Sequence, residues 1–236
     1  SGLSDEIIIP SLCKTFIATL CYNLYKFTGG ENCEEIDFSE SGLSGEVIIP
    51  SKCIIFKAKK CERLYEFTGG ENCEEMDFSK SKLSGKVIIP SNCRIFYAYK
   101  CKNLTSFTGG ENCEYMNFNY SGLSDKIIIP SNCKKFEAYK CKNLTSFTDG
   151  ENCEIMNFNY SGLSGEFIIP SNCKEFYAKK CKNITSFTGG ENCKYMDFDF
   201  SGLSGEVIIP SNCKKFYAYK CKNLTSFTGG ENCKYM

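Results

Sequence analysis

The chain of 236 residues contains no histidine. This removes the side chain that most often moves protons near neutral pH and most often ligates metals. Its eighteen cysteines include no Cys-x2-Cys pair, so the spacing that marks zinc sites is missing. No apolar run approaches the eighteen residues a membrane-spanning helix needs. There is no excess of either charge, with 28 basic and 28 acidic side chains, which argues against nucleic acid as a partner. No signal peptide and no initiator methionine are present, so the chain reads as an excerpt of a longer array. No segment keeps a helical period.

What is present is one 40-residue sentence written again and again. Complete copies start at Ser1, Ser41, Ser81, Ser121 and Ser161, and a sixth runs from Ser201 to Met236. The boundaries are 1–40, 41–80, 81–120, 121–160, 161–200 and 201–236, without insertion or deletion. A fixed period of this size means a solenoid, a propeller or an array. We expect a single solenoid domain over residues 1–236, mainly β, in which each unit touches its neighbours.

Each unit is itself two coils of about 20 residues. One cysteine row recurs every 20 residues: Cys13, Cys33, Cys53, Cys73, Cys93, Cys113, Cys133, Cys153, Cys173, Cys193, Cys213 and Cys233. Three residues later comes an apolar row that opens Phe16, Ile36, Phe56, Met76 and ends at Met236. Five residues after each cysteine, alanine and phenylalanine alternate: Ala18, Phe38, Ala58, Phe78, Ala98, Phe118 and onward. A fourth row holds Phe27, Val47, Phe67, Val87, Phe107 and their equivalents. These rows predict a core stacked coil over coil, with small and large residues interdigitating at constant volume. The slot of Ile17, Lys57, Tyr97, Glu137, Tyr177 and Tyr217 varies freely and is expected to face solvent.

The stretches EVIIP (46–50) and LTSF (104–107) read as short strands pairing in parallel between neighbouring coils. Proline ends the first kind, because it has no N–H for the ladder, and Gly-Gly ends the second. At about 4.8 Å per coil, twelve coils make a rod of roughly 50–60 Å.

LSGEVIIPSNCKKF (203–216) and CKNLTSF (221–227) resemble the BspA-like, or Treponema pallidum-type, leucine-rich repeats. Leu203 and Ile208-Ile209-Pro210 match that family's strand. Cys213 and Phe216 stand where it has valine and isoleucine. Ala218 and Cys221 match its convex segment, and Leu224-Thr225-Ser226-Phe227 its next strand start. The coils are shorter than the family's, and Gly229-Gly230 replaces Ile-Pro in alternate coils. The resemblance implies bacterial or protist proteins, secreted or at the cell surface, used for adhesion and protein binding, with no activity and no cofactor.

Three readings of the twelve-cysteine row stay open: buried core thiols, disulfides between adjacent rungs, and soft-metal ligands. A second row, Cys21, Cys61, Cys101, Cys141, Cys181 and Cys221, alternates with serines, and its members lie too far apart to bridge one another. Asn103, Asn143, Asn183 and Asn223 open N-[LI]-T sequons, and Asn119 and Asn159 open N-Y-S ones; asparagine also stacks well in solenoid turns. Thr105 and Thr108 are three apart, which speaks against an ice-binding ladder. Acids and serines recur as ladders and form no unique cluster, so no catalytic, metal or cofactor site is expected.

The expectation is a non-enzymatic interaction or structural solenoid, extracellular or at the cell surface, whose partner is a protein or itself. Tyr97, Tyr99, Tyr139, Tyr177, Tyr217 and Tyr219 are the candidate interaction surface. End-to-end assembly is suggested by charge: residues 1–40 hold seven acids and two lysines, residues 201–236 five lysines and two acids. A receptor-like module with one specific protein ligand is the alternative.

Overall fold

A computed structural model describes residues 4–235. Ser1, which opens the first repeat, and Met236, which closes the row begun at Phe16, lie outside the described residues. The chain divides into two compact units, Ser1–Ser121 and Gly122–Met236. Each is a parallel β-solenoid, and among the described residues there is no helix, so no helix is available to cross a membrane.

The last coil carries Asn223–Gly229 and a single bridge from Lys215 to Tyr235, and every other coil carries two strands among the described residues. One is long: Ser4–Ile9, Asn23–Gly29, Ser44–Ile49, Arg63–Gly69, Ser84–Ile89 and Asn103–Gly109 in the first unit. The other is three residues: Thr15–Ile17, Glu35–Asp37, Ile55–Lys57, Glu75–Asp77, Ile95–Tyr97 and Tyr115–Asn117. The second unit repeats both kinds, with long strands such as Ser164–Ile169 and Asn183–Gly189 and short ones such as Glu175–Tyr177 and Tyr195–Asp197.

The short strands form an unbroken parallel ladder within each unit, Thr15 to Glu35 to Ile55 in the first and Glu175 to Tyr195 to Lys215 in the second. The long strands behave differently and pair only two by two. Val47, Ile48 and Ile49 sit against Phe67, Thr68 and Gly69, with a bulge after Gly45. The reason is legible at Pro50. Within a pair the coil after the strand is tied across, Gly70 N donating to Ile49 O at 3.0 Å as Gly30 N does to Ile9 O. The equivalent donor toward Gly29 is the nitrogen of Pro50, which carries no hydrogen. Proline therefore stops the ladder between coils, and the sheet opens every 40 residues.

The rows of the core stack as their spacing predicts. Phe56, Ala58, Cys53, Met76 and Phe78 are fully buried, and so are their equivalents in the inner coils, while Cys13, Phe16, Ala218 and Cys233 in the outermost coils are half-buried. The Ala/Phe row also meets the row of the long strands: Phe67 stacks on Phe78 at 4.5 Å, and Phe107 on Phe118 at 4.7 Å. Ala98 is fully enclosed. Ala98→Phe should therefore overpack its coil and cost about 1–3 kcal/mol in urea unfolding, against a near-silent Tyr97→Phe. Equal losses at both sites would show that the faces are misassigned.

The slot expected to face solvent does so only at its start. Ile17 is 60% exposed, but Tyr97, Tyr177 and Tyr217 are half-buried. The short strand places each beside its neighbours in the ladder, and the Tyr97 ring meets Tyr115 edge-on at 5.4 Å.

Candidate functional site

The two cysteine rows are built differently. Rung thiols such as Cys53, Cys93, Cys173 and Cys213 donate to a carbonyl two residues on, Cys53 Sγ to Ile55 O at 3.1 Å and Cys173 Sγ to Glu175 O at 3.3 Å. From Cys33 to Cys213 every rung is buried; Cys13 and Cys233 are half-buried. The structure places all eighteen cysteines as free thiols. In the second row Cys61, Cys101, Cys181 and Cys221 find serine on one side and a carbonyl on the other, while Cys21 donates to Thr19 O at 3.5 Å. Cys181 Sγ lies 3.4 Å from Ser161 Oγ and donates to Phe158 O at 3.0 Å, while Ser161 Oγ accepts from Leu163 N at 3.3 Å. Burial pushes the Cys101 and Cys181 thiols up to about 11 and Cys213 to about 12. Such thiols stay protonated at neutral pH and are poor nucleophiles. No group of ligating side chains suited to a metal occurs among the described residues.

The six candidate tyrosines fall into two separate rows. Tyr97, Tyr177 and Tyr217 stand on the short strands; in the second unit Tyr195 lies between the last two, 5.1 Å from Tyr177 and 5.5 Å from Tyr217. The Tyr177 hydroxyl donates to Glu175 at 2.8 Å. Tyr99, Tyr139 and Tyr219 stand two residues further, at a corner of the coil. There they meet rings from the neighbouring coil: Tyr99 with Tyr120 at 5.7 Å, Tyr139 with Tyr160 at 5.4 Å, Tyr219 with Phe200 at 5.4 Å. The even-coil partners Tyr115, Tyr195, Tyr120, Tyr160 and Phe200 are absent from the sequence-based set. The 20-residue period marks them, once both coils of a unit are read.

That corner has a second property hidden from composition. Its last residue is left-handed in the first eleven coils without being glycine: φ is 60° at Lys60, 61° at Lys100, 61° at Tyr160, 61° at Lys180, 57° at Phe200 and 58° at Lys220. The conformation costs roughly 1–2 kcal/mol per residue. What it secures is a coil-to-coil backbone bond, as from Lys180 N to Asp199 O at 2.8 Å. In the first coils the corner side chains form an ion pair, Lys60 Nζ to Glu40 at 2.7 Å. Later they become lysines over rings, with Lys180 Nζ 4.8 Å from the Tyr160 centroid and 5.6 Å from that of Phe200.

The opening of the long-strand sheets makes a third feature. Ile8, Ile48 and Ile88 in the first unit, and Ile128, Ile168 and Ile208 in the second, point outward and are 63–75% exposed. Strand alternation required this, since Val47 and Ile49 on either side are buried. Between successive pairs lie grooves. One of about 340 Å³ is lined by Phe27, Thr28, Val47, Ile48 and Pro50, and one of about 330 Å³ by Phe67, Thr68, Val87, Ile88 and Pro90. In the second unit a groove of about 680 Å³ is lined by Phe167, Ile168, Phe187, Thr188 and Ile208 and rimmed by Glu166, Glu191 and Glu206.

Of the sequons, Asn103, Asn143, Asn183 and Asn223 are exposed at the starts of long strands. Asn159 is committed instead to the backbone, its Oδ1 accepting from Lys179 N at 2.7 Å.

No protein-family model matches the chain, and no match is found among curated proteins. Among solved structures, a leucine-rich repeat protein from Bacteroides ovatus superposes with a TM-score of 0.71 at 16% identity, covering 98% of this chain and 74% of that one. A leucine-rich repeat protein from Eubacterium ventriosum is matched at 16% identity over 84% of this chain and 67% of its own, with a TM-score of 0.41, too low to add to the assignment. The likeness to the first establishes the fold as a leucine-rich-repeat solenoid.

Proposed function

We propose that the chain is a non-enzymatic structural and interaction repeat protein of the BspA-like kind, displayed at the cell surface or secreted, that associates with its own copies or a protein partner in adhesion or fibre formation. The 40-residue repeat runs unbroken through both units, which supports reading residues 1–236 as one repeat domain. The observation that carries the proposal is the outward isoleucine on every pair of long strands. An apolar side chain 72% exposed, as at Ile48, is ordinary alone; repeated beside an apolar groove at the same spacing it marks an interaction face. Ridge and groove alternate in step, so the face complements a second copy of itself, and a self-complementary patch is what a two-fold contact requires. End-to-end contacts between the acidic first copy and the basic last one would add filament growth.

The test is sedimentation of the whole chain against concentration, for the native protein and for Ile48→Lys/Ile88→Lys. Both sites are on the surface, so folding should be little changed. Association of the native chain, weakened about tenfold or more in the variant, is the expected result. A native chain that stays monomeric at high concentration and low salt would sink the self-association reading.

One observation favours the alternative of a receptor-like module with a single protein ligand. The 680 Å³ groove is twice the size of the others and carries three glutamates and no lysine. That reading gains if Glu166→Gln/Glu206→Gln abolishes capture of a basic peptide while self-association persists.

A further inference from the structure

The corner of the coil in the second unit is a row of lysines held between rings. Lys140 Nζ lies 5.2 Å from the Tyr139 centroid and 5.6 Å from that of Tyr160. Lys180 sits over Tyr160 and Phe200, and Lys220 over Phe200 at 5.5 Å and Tyr219 at 5.3 Å. Two residues on, the same corner presents Lys142, Lys182 and Lys222, all exposed. The carboxylate at this corner, Asp199, is held by Lys179 at 3.1 Å and accepts from Tyr219 N at 2.9 Å. Among the described residues no carboxylate comes within ion-pair distance of Lys180, Lys182, Lys220 or Lys222. A unit whose total charge is nearly balanced, fifteen lysines to twelve acids over residues 122–236, thus gathers Lys180, Lys182, Lys220 and Lys222 along one line without an ion-pair partner among the described residues.

We propose that this line is a binding site for a linear anionic glycan, whose carboxylate or sulfate groups meet the lysines of every second coil. Three observations lead there.

The first is spacing. The lysines recur every two coils, which at the strand separation of a parallel sheet is about 9.6 Å. Phosphates along one DNA strand recur about every 3.4 Å. Like-facing side chains of an extended peptide recur about every 6.6 Å. Neither matches, whereas a polysaccharide charged once per disaccharide repeats on the scale of two coils.

The second is preorganisation. Left-handed backbone fixes the start of each lysine side chain, and a ring on either side holds its end. Side-chain entropy that binding would otherwise remove is already spent, while the ammonium keeps N–H donors for an oxyanion.

The third is the state of the rings. Tyr139 meets Tyr160 at 64° and Phe200 meets Tyr219 at 84°, with lysines over their faces. Stacking of nucleobases needs free ring faces, and here they are taken. None of the residues of the isoleucine face takes part, so the two proposals fail separately.

The experiment titrates hyaluronan oligosaccharides, which carry one carboxylate per disaccharide, into the whole chain at low and at physiological salt. Three variants are compared: Lys180→Gln/Lys220→Gln in the row, Lys194→Gln/Lys214→Gln away from it, and Phe200→Leu, which keeps the charge and removes a ring. We expect the row variant to bind about tenfold or more weakly, the distant pair to change little, and Phe200→Leu to weaken binding severalfold at unchanged charge. Equal losses in the two lysine pairs would reduce the effect to net charge and overturn the proposal. No binding of hyaluronan by the native chain, or tighter binding of single-stranded DNA of equal charge, would overturn it as well.

Discussion

Taken from about pH 8 to about pH 11 in the presence of reductant, the protein should lose its fold cooperatively. The cause lies in the thiols. Cys101 and Cys181 titrate at about 11 in the fold, from an ordinary 9.0, because burial disfavours the thiolate; the serine bonds oppose this and are outweighed. Cys33 is raised to about 11 and Cys213 to about 12, again with burial as the largest cause, and Cys61 moves the same way. A group held above its unfolded pKa contributes stability that is complete below that value and is lost as pH climbs toward the folded one. The window is therefore pH 9 to 11 for Cys101 and Cys181, and each forfeits about 2.7 kcal/mol across it. Two such thiols already reach about 5 kcal/mol, the lower bound of a domain's stability. Urea midpoints that fall steeply over this window, and fall less in Cys101→Ser/Cys181→Ser, are the expected outcome. A flat profile to pH 11 would mean that the thiols are not buried as described. Thiol titration of the denatured chain without reductant closes the remaining question: eighteen reactive groups are expected, and about twelve hidden ones would mean that adjacent rungs are joined.

Phe158→Ala should be among the most damaging single substitutions. The ring is fully buried, stacked on Phe147 at 4.7 Å and tilted against Phe136 at 5.8 Å and Phe176 at 5.9 Å. Removing a ring of this kind from a packed core costs about 3–5 kcal/mol, part of it from the cavity left behind. The alternation of alanine and phenylalanine adds a sharper expectation. Ala138→Phe alone should overpack the neighbouring coil, yet the double variant Ala138→Phe/Phe158→Ala restores total volume. It should be more stable than the sum of the single effects by about 1 kcal/mol or more, since the two sites share one layer. Strict additivity would show that the rows do not interdigitate.

Much of this was open to reading in the residues. A 20-residue period obliges equivalent side chains to stack, so rows such as Phe56, Met76, Phe96 and the pairing of Ile48 with Thr68 follow from position. The outward isoleucines were equally legible from strand alternation at Val47-Ile48-Ile49, although the core rows draw attention away from them. The tyrosines were only half legible. Their exposure depended on the ring beside them in the next coil, and one half of each pair comes from a differently worded coil.

The sequence by itself determined the period, the identity of the core, the parallel strands and the leucine-rich-repeat architecture, because each depends on which residues recur at which spacing. Tertiary structure decided the rest. Pro50 ends its own strand by local chemistry, but that it also opens the sheet between Asn23–Gly29 and Ser44–Ile49 depends on which carbonyl faces it across the coils. Lys180 and Phe200 carry no local preference for left-handed backbone. They adopt it because the coil must turn there to keep the bond from Lys180 N to Asp199 O, and the same turn sets the ammonium between two rings.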